Sequence, residues 1–243
     1  MKQIEGLFTL LELLGFGWDM SGPLTISRVN RPRQAARIAY NRYGLFYDFI
    51  GGQFERPHAL NGLLMLNVQP GESVLEIGFG TGHALLKLAK TVGKGGHVSG
   101  IDISDRMCAI TRLRIHQAKL LDRVTLHRGD AQKLPFETAA FDALFISFTL
   151  ELFDTKDIHQ VLRECYRVLK PRGRICIVSL LKSRRCSRIE RLYEWIHEKF
   201  PQWVDCRPIQ ARHELIQTGF EPQQEQVQSM FGLLVSTIFA IKL

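Results

Sequence analysis

Cysteine is scarce in this chain: five in 243 residues, an odd number, widely spaced, with no CxxC pair. A disulfide framework and a structural zinc site are therefore not expected, and reduced thiols in a cytoplasmic protein are. No apolar run approaches the ~20 residues that a membrane-crossing helix needs. The apolar stretch from Phe231 to Ile241 is too short, and its β-branched content suits a buried strand. The first twenty residues lack a basic segment and a small-residue cleavage site, so they do not read as a signal peptide. No internal repeat, low-complexity tract or aromatic–basic RNA-recognition module is present.

What is present is an ordinary globular composition, 45% hydrophobic and 23% charged. The net charge of +8 predicts attraction to anionic partners without choosing among them. Residues 1–40 read as a helical and loop extension, a lid or cap, with Ile4, Leu7, Leu10, Leu11 and Leu14 on one helical face. Helical spacing over 35–66 is broken near Gly51-Gly52 and Pro57. From Ser73 onward, short apolar strands alternate with helices: strands at 73–77, 97–103, 124–127, 141–148 and 174–180, helices at 83–91, 105–120 and 157–169. After a helix-rich segment at 181–210, a helix at 208–218 and strands at 225–228 and 233–242 follow. This pattern predicts an α/β doubly wound sheet, Rossmann-like, seven-stranded and mostly parallel, with an antiparallel C-terminal strand.

Glycines at 78, 80 and 82 fall between the first strand and the helix after it. Dinucleotide loops carry GxGxxG and set a pyrophosphate on the helix N-terminus. Here the spacing is GxGxG, and Glu76 stands two residues before it. A carboxylate there repels a pyrophosphate and favours a ligand with an ammonium or sulfonium. Asp102 ends the second strand, twenty positions after Gly82, where a carboxylate accepts both ribose hydroxyls. Asp130 ends the third-strand region, in reach of an adenine amine. Glycine loop and three acids together point to an adenosine-containing cofactor without phosphate.

VLEIGFGTG at 74–82, GIDIS at 100–104, GDAQKLPF at 129–136, FDALFISFTLELF at 141–153 and YRVLKPRGRICIVS at 166–179 are similar, in order, to the motifs of class I S-adenosylmethionine-dependent methyltransferases. Within that class the chain most resembles the ubiquinone/menaquinone biosynthesis methyltransferases and their lipid- and small-molecule-methylating relatives (the methyltransferase type 11 group), through Tyr47-Asp48 and RVLKP at 167–171. It departs from them in FIGGQFERP after Tyr47-Asp48, in Arg172 where they have glycine, and in Ser179 or Leu180 near their acid after the fifth strand.

The resemblance implies methyl transfer from S-adenosylmethionine to a small-molecule or lipid-like acceptor: a quinone precursor, a phenol or an amine headgroup. It implies that Gly78, Gly80 and Gly82 wrap the methionine part and that Glu76 orients the loop and offsets cationic charge. Asp102 would take the ribose, Ile103 the adenine face, Asp130 and Ala131 the adenine edge, and the backbone at Ser147 the ammonium. Tyr43, Tyr47, Phe148 and Tyr193 are acceptor-pocket candidates, in a domain spanning 41–243 with a substrate-side insertion at 181–210. His58, His83, Asp48 and Glu151 are candidates for a base, and none is singled out. No metal is expected. The basic run Lys182, Arg184, Arg185, Arg188 and Arg191 beside an amphipathic helix suggests peripheral contact with an anionic membrane, on its inner face. Two alternatives remain at this point: an RNA methyltransferase, suggested by charge alone, and a non-catalytic cofactor-binding protein of the same fold. A nucleotide-dependent oxidoreductase is disfavoured by the loop spacing.

Overall fold

The computed structural model describes residues 52–183, 187–199 and 206–243. In chain order the elements are α1 (Gly52–Leu66), β1 (Ser73–Ile77), α2 (His83–Val92), β2 (His97–Asp102), α3 (Asp105–Gln117), β3 (Val124–Arg128), β4 (Phe141–Ser147), α4 (Thr155–Val168), β5 (Leu169–Leu180), α5 (Arg188–Lys199), α6 (Ala211–Gln217), β6 (Phe220–Met230) and β7 (Leu233–Lys242). A 3-10 turn at Leu150–Leu152 follows β4.

The seven strands form one sheet in the order β3-β2-β1-β4-β5-β7-β6. β1 through β5 pair in parallel, and β7 runs antiparallel to both of its neighbours. The expected sheet is thus observed. β1 and β4 lie side by side at its centre, and the connections wind away from them in opposite directions. That reversal opens a crevice at the carboxyl ends of β1 and β4, the usual ligand position in such sheets.

Each face of the sheet carries its own core, because successive strand residues point to opposite sides. In β4, Ala143 and Phe145 join Leu85, Leu88, Met107 and Ile115 of α2 and α3. Leu144 and Ile146 join Ile158, Val161, Leu162 and Cys165 of α4, with Ala211 and Leu215 of α6. Burying each such Leu, Ile or Val side chain contributes about 1.5–3 kcal/mol. β4 is covered on both faces, which explains why it reads as an apolar run without alternation. Helix starts follow local chemistry: Ser104 Oγ accepts from the Met107 amide at the head of α3, and the Asp154 carboxylate accepts from the Thr155 amide at the head of α4.

Three elements differ from the sequence expectation: β5 starts at Leu169, five residues before the expected 174, and α1 and β6 also depart from it. α1 runs through Pro57 instead of breaking there. Its hold on the sheet outweighs the lost backbone bond: Gly62 packs directly against Phe145 and Val178. Its last carbonyl, at Leu66, accepts from Arg174 at the foot of β5. The orientation places the first turns of α1 at the carboxyl ends of the strands. β6 extends over eleven residues, with a register shift at Pro222–Gln224, well beyond the four expected. The N-terminal extension 1–40, Tyr43, Tyr47 and Asp48 lie outside the described residues, as do 184–186 and 200–205 of the insertion.

Candidate functional site

β1 delivers the chain into the glycine loop through a bond from the Gly78 amide to the Ile101 carbonyl, 2.8 Å. Gly78 has φ of 71° and Gly80 of 51°, left-handed values that favour glycine. The two positions differ in surroundings. A Cβ on Gly78 would collide with Thr149, whereas a Cβ on Gly80 would meet no protein atom within 4 Å. One glycine lets the loop meet the β4 side of the crevice, and the other leaves open space beside bare backbone.

Asp102, at the end of β2, ties this loop down. Its Oδ2 accepts from the Gly80 amide and its Oδ1 from the Ser104 amide, both at 2.9 Å. From α3, Thr111 Oγ1 donates to the Gly80 carbonyl at 2.8 Å, and Arg114 donates to the Thr81 carbonyl at 2.7 Å. His83 Nε2 lies 2.8 Å from Arg114 and 2.7 Å from Arg56 of α1. Two guanidinium groups address that nitrogen, so His83 braces the loop and is poorly placed to take a proton from an acceptor.

The electrostatics match a cationic guest. Glu76 is buried, 3% exposed, between Gly100 of β2 and Phe145 of β4. Burial, reinforced by the nearby Asp102 carboxylate, pushes its carboxyl well above the ordinary range. Its Oε2 is buried and has no hydrogen-bond partner among the described residues. Burial also raises Asp102, opposed by the amides of Ser104, Gly80 and Ile103. Two carboxyls disfavoured as anions are stabilised when a positive group enters beside them. Ile103 follows Asp102 directly and is partly buried. Asp130 Oδ1 accepts from the Gln132 amide at 3.0 Å, holding the turn in which Ala131 is buried. Open space at Gly80, the orphaned Glu76 oxygen and the carboxylate ending β2 fit an adenosine-bearing sulfonium, S-adenosylmethionine. When bound, it supplies an activated methyl group.

β4 ends at Ser147, whose carbonyl accepts from Thr149 Oγ1 at 2.9 Å. Between them Phe148 is buried with φ of 47°. Its ring meets that of His58 edge-on, centroids 6.4 Å apart, and His58 Nδ1 lies 2.9 Å from Gln228 Oε1 of β6. Tyr193 of α5 packs against the apolar cluster that contains Phe148 and donates to the Cys206 carbonyl at 3.0 Å. Phe148 and Tyr193 thus belong to the same apolar cluster on one face of the sheet. Lys182, counted in the basic run, departs from that reading: it is buried and bonds both oxygens of Glu194 at 2.6 and 2.7 Å.

The bracing threonines, Thr111 and Thr149, were not marked by any sequence spacing, because each reaches the loop from a different element. The same holds for Arg207, fully buried, which donates to the Phe153 carbonyl at 2.6 Å.

Residues 74–173 match the model of a methyltransferase domain family. The chain is 35% identical over 152 residues to a demethylmenaquinone methyltransferase of Halalkalibacterium halodurans, covering 63% of this chain and 61% of that protein. It is 30% identical over 225 residues to a ubiquinone/menaquinone biosynthesis C-methyltransferase of Vibrio cholerae, covering 90% of this chain and 84% of that one. Its fold is similar to that of a 1,6-didemethyltoxoflavin-N1-methyltransferase of Burkholderia thailandensis, solved with its substrate and S-adenosylhomocysteine (TM-score 0.60, 16% identity, 89% of this chain and 94% of that one). With the loop, the two raised carboxyls and the sheet order already in place, these similarities assign the chain to the class I S-adenosylmethionine-dependent methyltransferases, and it belongs to their ubiquinone/menaquinone C-methyltransferase family.

Proposed function

We propose that this methyltransferase acts on a prenylated hydroquinone or phenol, a quinone precursor. The observation that carries this reading is the 30% identity over 225 residues to the Vibrio cholerae enzyme, which extends well beyond the cofactor-binding half. The apolar surroundings of Phe148 and Tyr193 suit such an acceptor. In this reading Glu76, the glycines, Asp102, Ile103, Asp130, Ala131 and the Ser147 backbone hold the methyl donor. The segment at 181–210, with Phe148 and Tyr193, faces the acceptor. The task of the protein is alignment and exclusion of water, since the methyl group arrives already activated.

The test is transfer of labelled methyl from S-adenosylmethionine to a short-chain 2-prenyl-1,4-naphthohydroquinone, with amine-headgroup lipids and unmodified RNA as competitors for the label. Label in the hydroquinone alone supports the reading. Label in RNA or in the amine lipids replaces it.

Peripheral contact with an anionic membrane accompanies this proposal. Phe54 of α1 and Phe231 at the β6–β7 turn are 47% and 67% exposed and meet edge-on at 4.5 Å. Ile189 of α5 abuts the same turn at Gly232, and Arg188 beside it is exposed. An apolar wedge flanked by a cation suits a surface where a lipid-like acceptor resides. Sedimentation with anionic and neutral vesicles tests it: Phe231→Ser should reduce pelleting on anionic vesicles, and equal negligible binding to both sinks the idea. Among the described residues no helix is long and apolar enough to cross a membrane.

A further inference from the structure

Glu151 lies fully buried in the 3-10 turn after β4. Two residues before it, Thr149 rests against Gly78 of the loop assigned to the methyl donor. On its far side, Glu151 Oε1 accepts from the Leu180 amide at the end of β5, 3.2 Å away. One oxygen of the carboxyl is thus held at the end of β5, in a turn whose Thr149 meets the donor loop. Its Oε2 is buried and has no hydrogen-bond partner among the described residues. Leaving a buried polar oxygen unpaired is unfavourable, so this oxygen is open to a partner beyond the described residues, the acceptor among them.

The charges around it are specific. Arg207, fully buried, favours the carboxylate and is anchored to the Phe153 carbonyl at the end of the same turn. Glu55 of α1 opposes it. Burial outweighs both and lifts the carboxyl to about 8, near working pH, as proton transfer requires.

We infer that Glu151 takes up the proton that the acceptor loses on methylation. The acceptor's nucleophilic atom forms its bond to the methyl carbon while the carbon–sulfur bond breaks, its electron pair passing to sulfur. The acceptor's proton passes to Oε2 of the Glu151 carboxylate, and the resulting neutral acid later returns it to solvent. Leu180 holds the other oxygen, and Arg207 steadies the anion. The inference rests on the reading of the acceptor as a hydroquinone or phenol, which has such a proton to lose.

Glu151→Gln tests it, because the amide keeps the size and an oxygen for the Leu180 amide but cannot accept the proton. With the short-chain naphthohydroquinone as acceptor, kcat should fall by about 100-fold or more. Affinity for S-adenosylmethionine, read by calorimetry, should stay within about threefold of wild type, and the alkaline rise of kcat/KM should vanish. A variant that binds the methyl donor and turns over within about threefold of wild type overturns the inference. So does loss of the alkaline rise in His58→Ala with the rise intact in Glu151→Gln. Should Glu151→Gln fail to melt cooperatively, Glu151→Asp takes its place: a slower enzyme that keeps the alkaline rise upholds the assignment, and one with a flat profile overturns it. If wild type leaves the naphthohydroquinone unmethylated, the acceptor reading fails separately, and infrared difference titration with S-adenosylmethionine bound decides about Glu151. A carboxyl band, identified by its loss or shift in the variant, that ionises in the mildly alkaline range upholds the proton-accepting role. A band that stays protonated throughout that range overturns it.

Discussion

The Gly80 amide donates to Asp102 Oδ2 at 2.9 Å, a bond that joins the loop after β1 to the end of β2 across twenty-two positions of sequence. Its partner oxygen accepts from Ser104, so one carboxylate sets both the loop's shape and the start of α3. Asp102 therefore shapes the loop, and in the function proposed above it also accepts the ribose hydroxyls of the methyl donor. Asp102→Ala removes both contributions. Hydrogen bonds to a charged group are worth about 1.5–3 kcal/mol each, so affinity for S-adenosylmethionine should fall by roughly 10- to 1,000-fold. Titration calorimetry reads this directly. A loss below about threefold would remove Asp102 from the site.

Gly78 and Gly80 separate packing from ligand space. Gly78→Ala drives a methyl into Thr149 at a left-handed position, so both the melting temperature and methyl-donor binding should drop. Gly80→Ala meets nothing in the protein, so its stability cost should be only the backbone term, about 1–2 kcal/mol. Its binding loss should be disproportionately larger, because the added methyl enters the space left for the ligand. Equal binding loss at equal stability loss in the two variants would contradict this division.

The cofactor side was legible because its signals are local. Strand, glycines and acids follow one another within single segments, and the twenty-residue spacing from Gly82 to Asp102 reflects one helix, one turn and one strand. β6 was not legible. It is an edge strand that pairs only with β7, and most of its residues face water, so FEPQQEQVQSM carries neither apolar alternation nor a run. Pro222 sits at its register shift, where a missing amide is tolerated. The path of α1 through Pro57 was hidden for the opposite reason: packing of Gly62 on Phe145 and Val178 overrides local preference. Lys182 read as a surface cation because a run of basic residues carries no sign of which member turns inward to Glu194.

Arg172 occupies the left-handed region, φ 62°, in the irregular stretch between the Leu169 and Arg174 pairings of β5. The residue is exposed, so its side chain brings nothing that offsets the strain. Glycine adopts this conformation freely but loses more freedom on folding, and the two effects partly cancel. Arg172→Gly should stabilise the protein by about 0.5–1 kcal/mol, read as a shifted urea midpoint with an unchanged slope. A lower midpoint would show that the backbone there is not strained.

The burial of Glu151 has a signature in stability as well as in turnover. Its carboxyl stands at about 8 in the folded protein against 4.5 when unperturbed. As pH rises past 4.5, the unfolded chain releases this proton while the folded chain keeps it. Folding stability therefore falls with rising pH across that window and levels off above about 8. Each unit of displacement is about 1.4 kcal/mol, so the decline amounts to several kcal/mol at most. Glu76 and Asp102 are displaced in the same direction and leave a residual slope in any variant. Glu151→Gln removes only the contribution of Glu151: near wild type in stability at pH 5, it should become the more stable protein at pH 8. Denaturation at the two pH values reads the difference. Parallel curves for wild type and variant would mean that Glu151 does not stay protonated across this range, and its burial would then have to be offset by a charge partner stronger than Arg207.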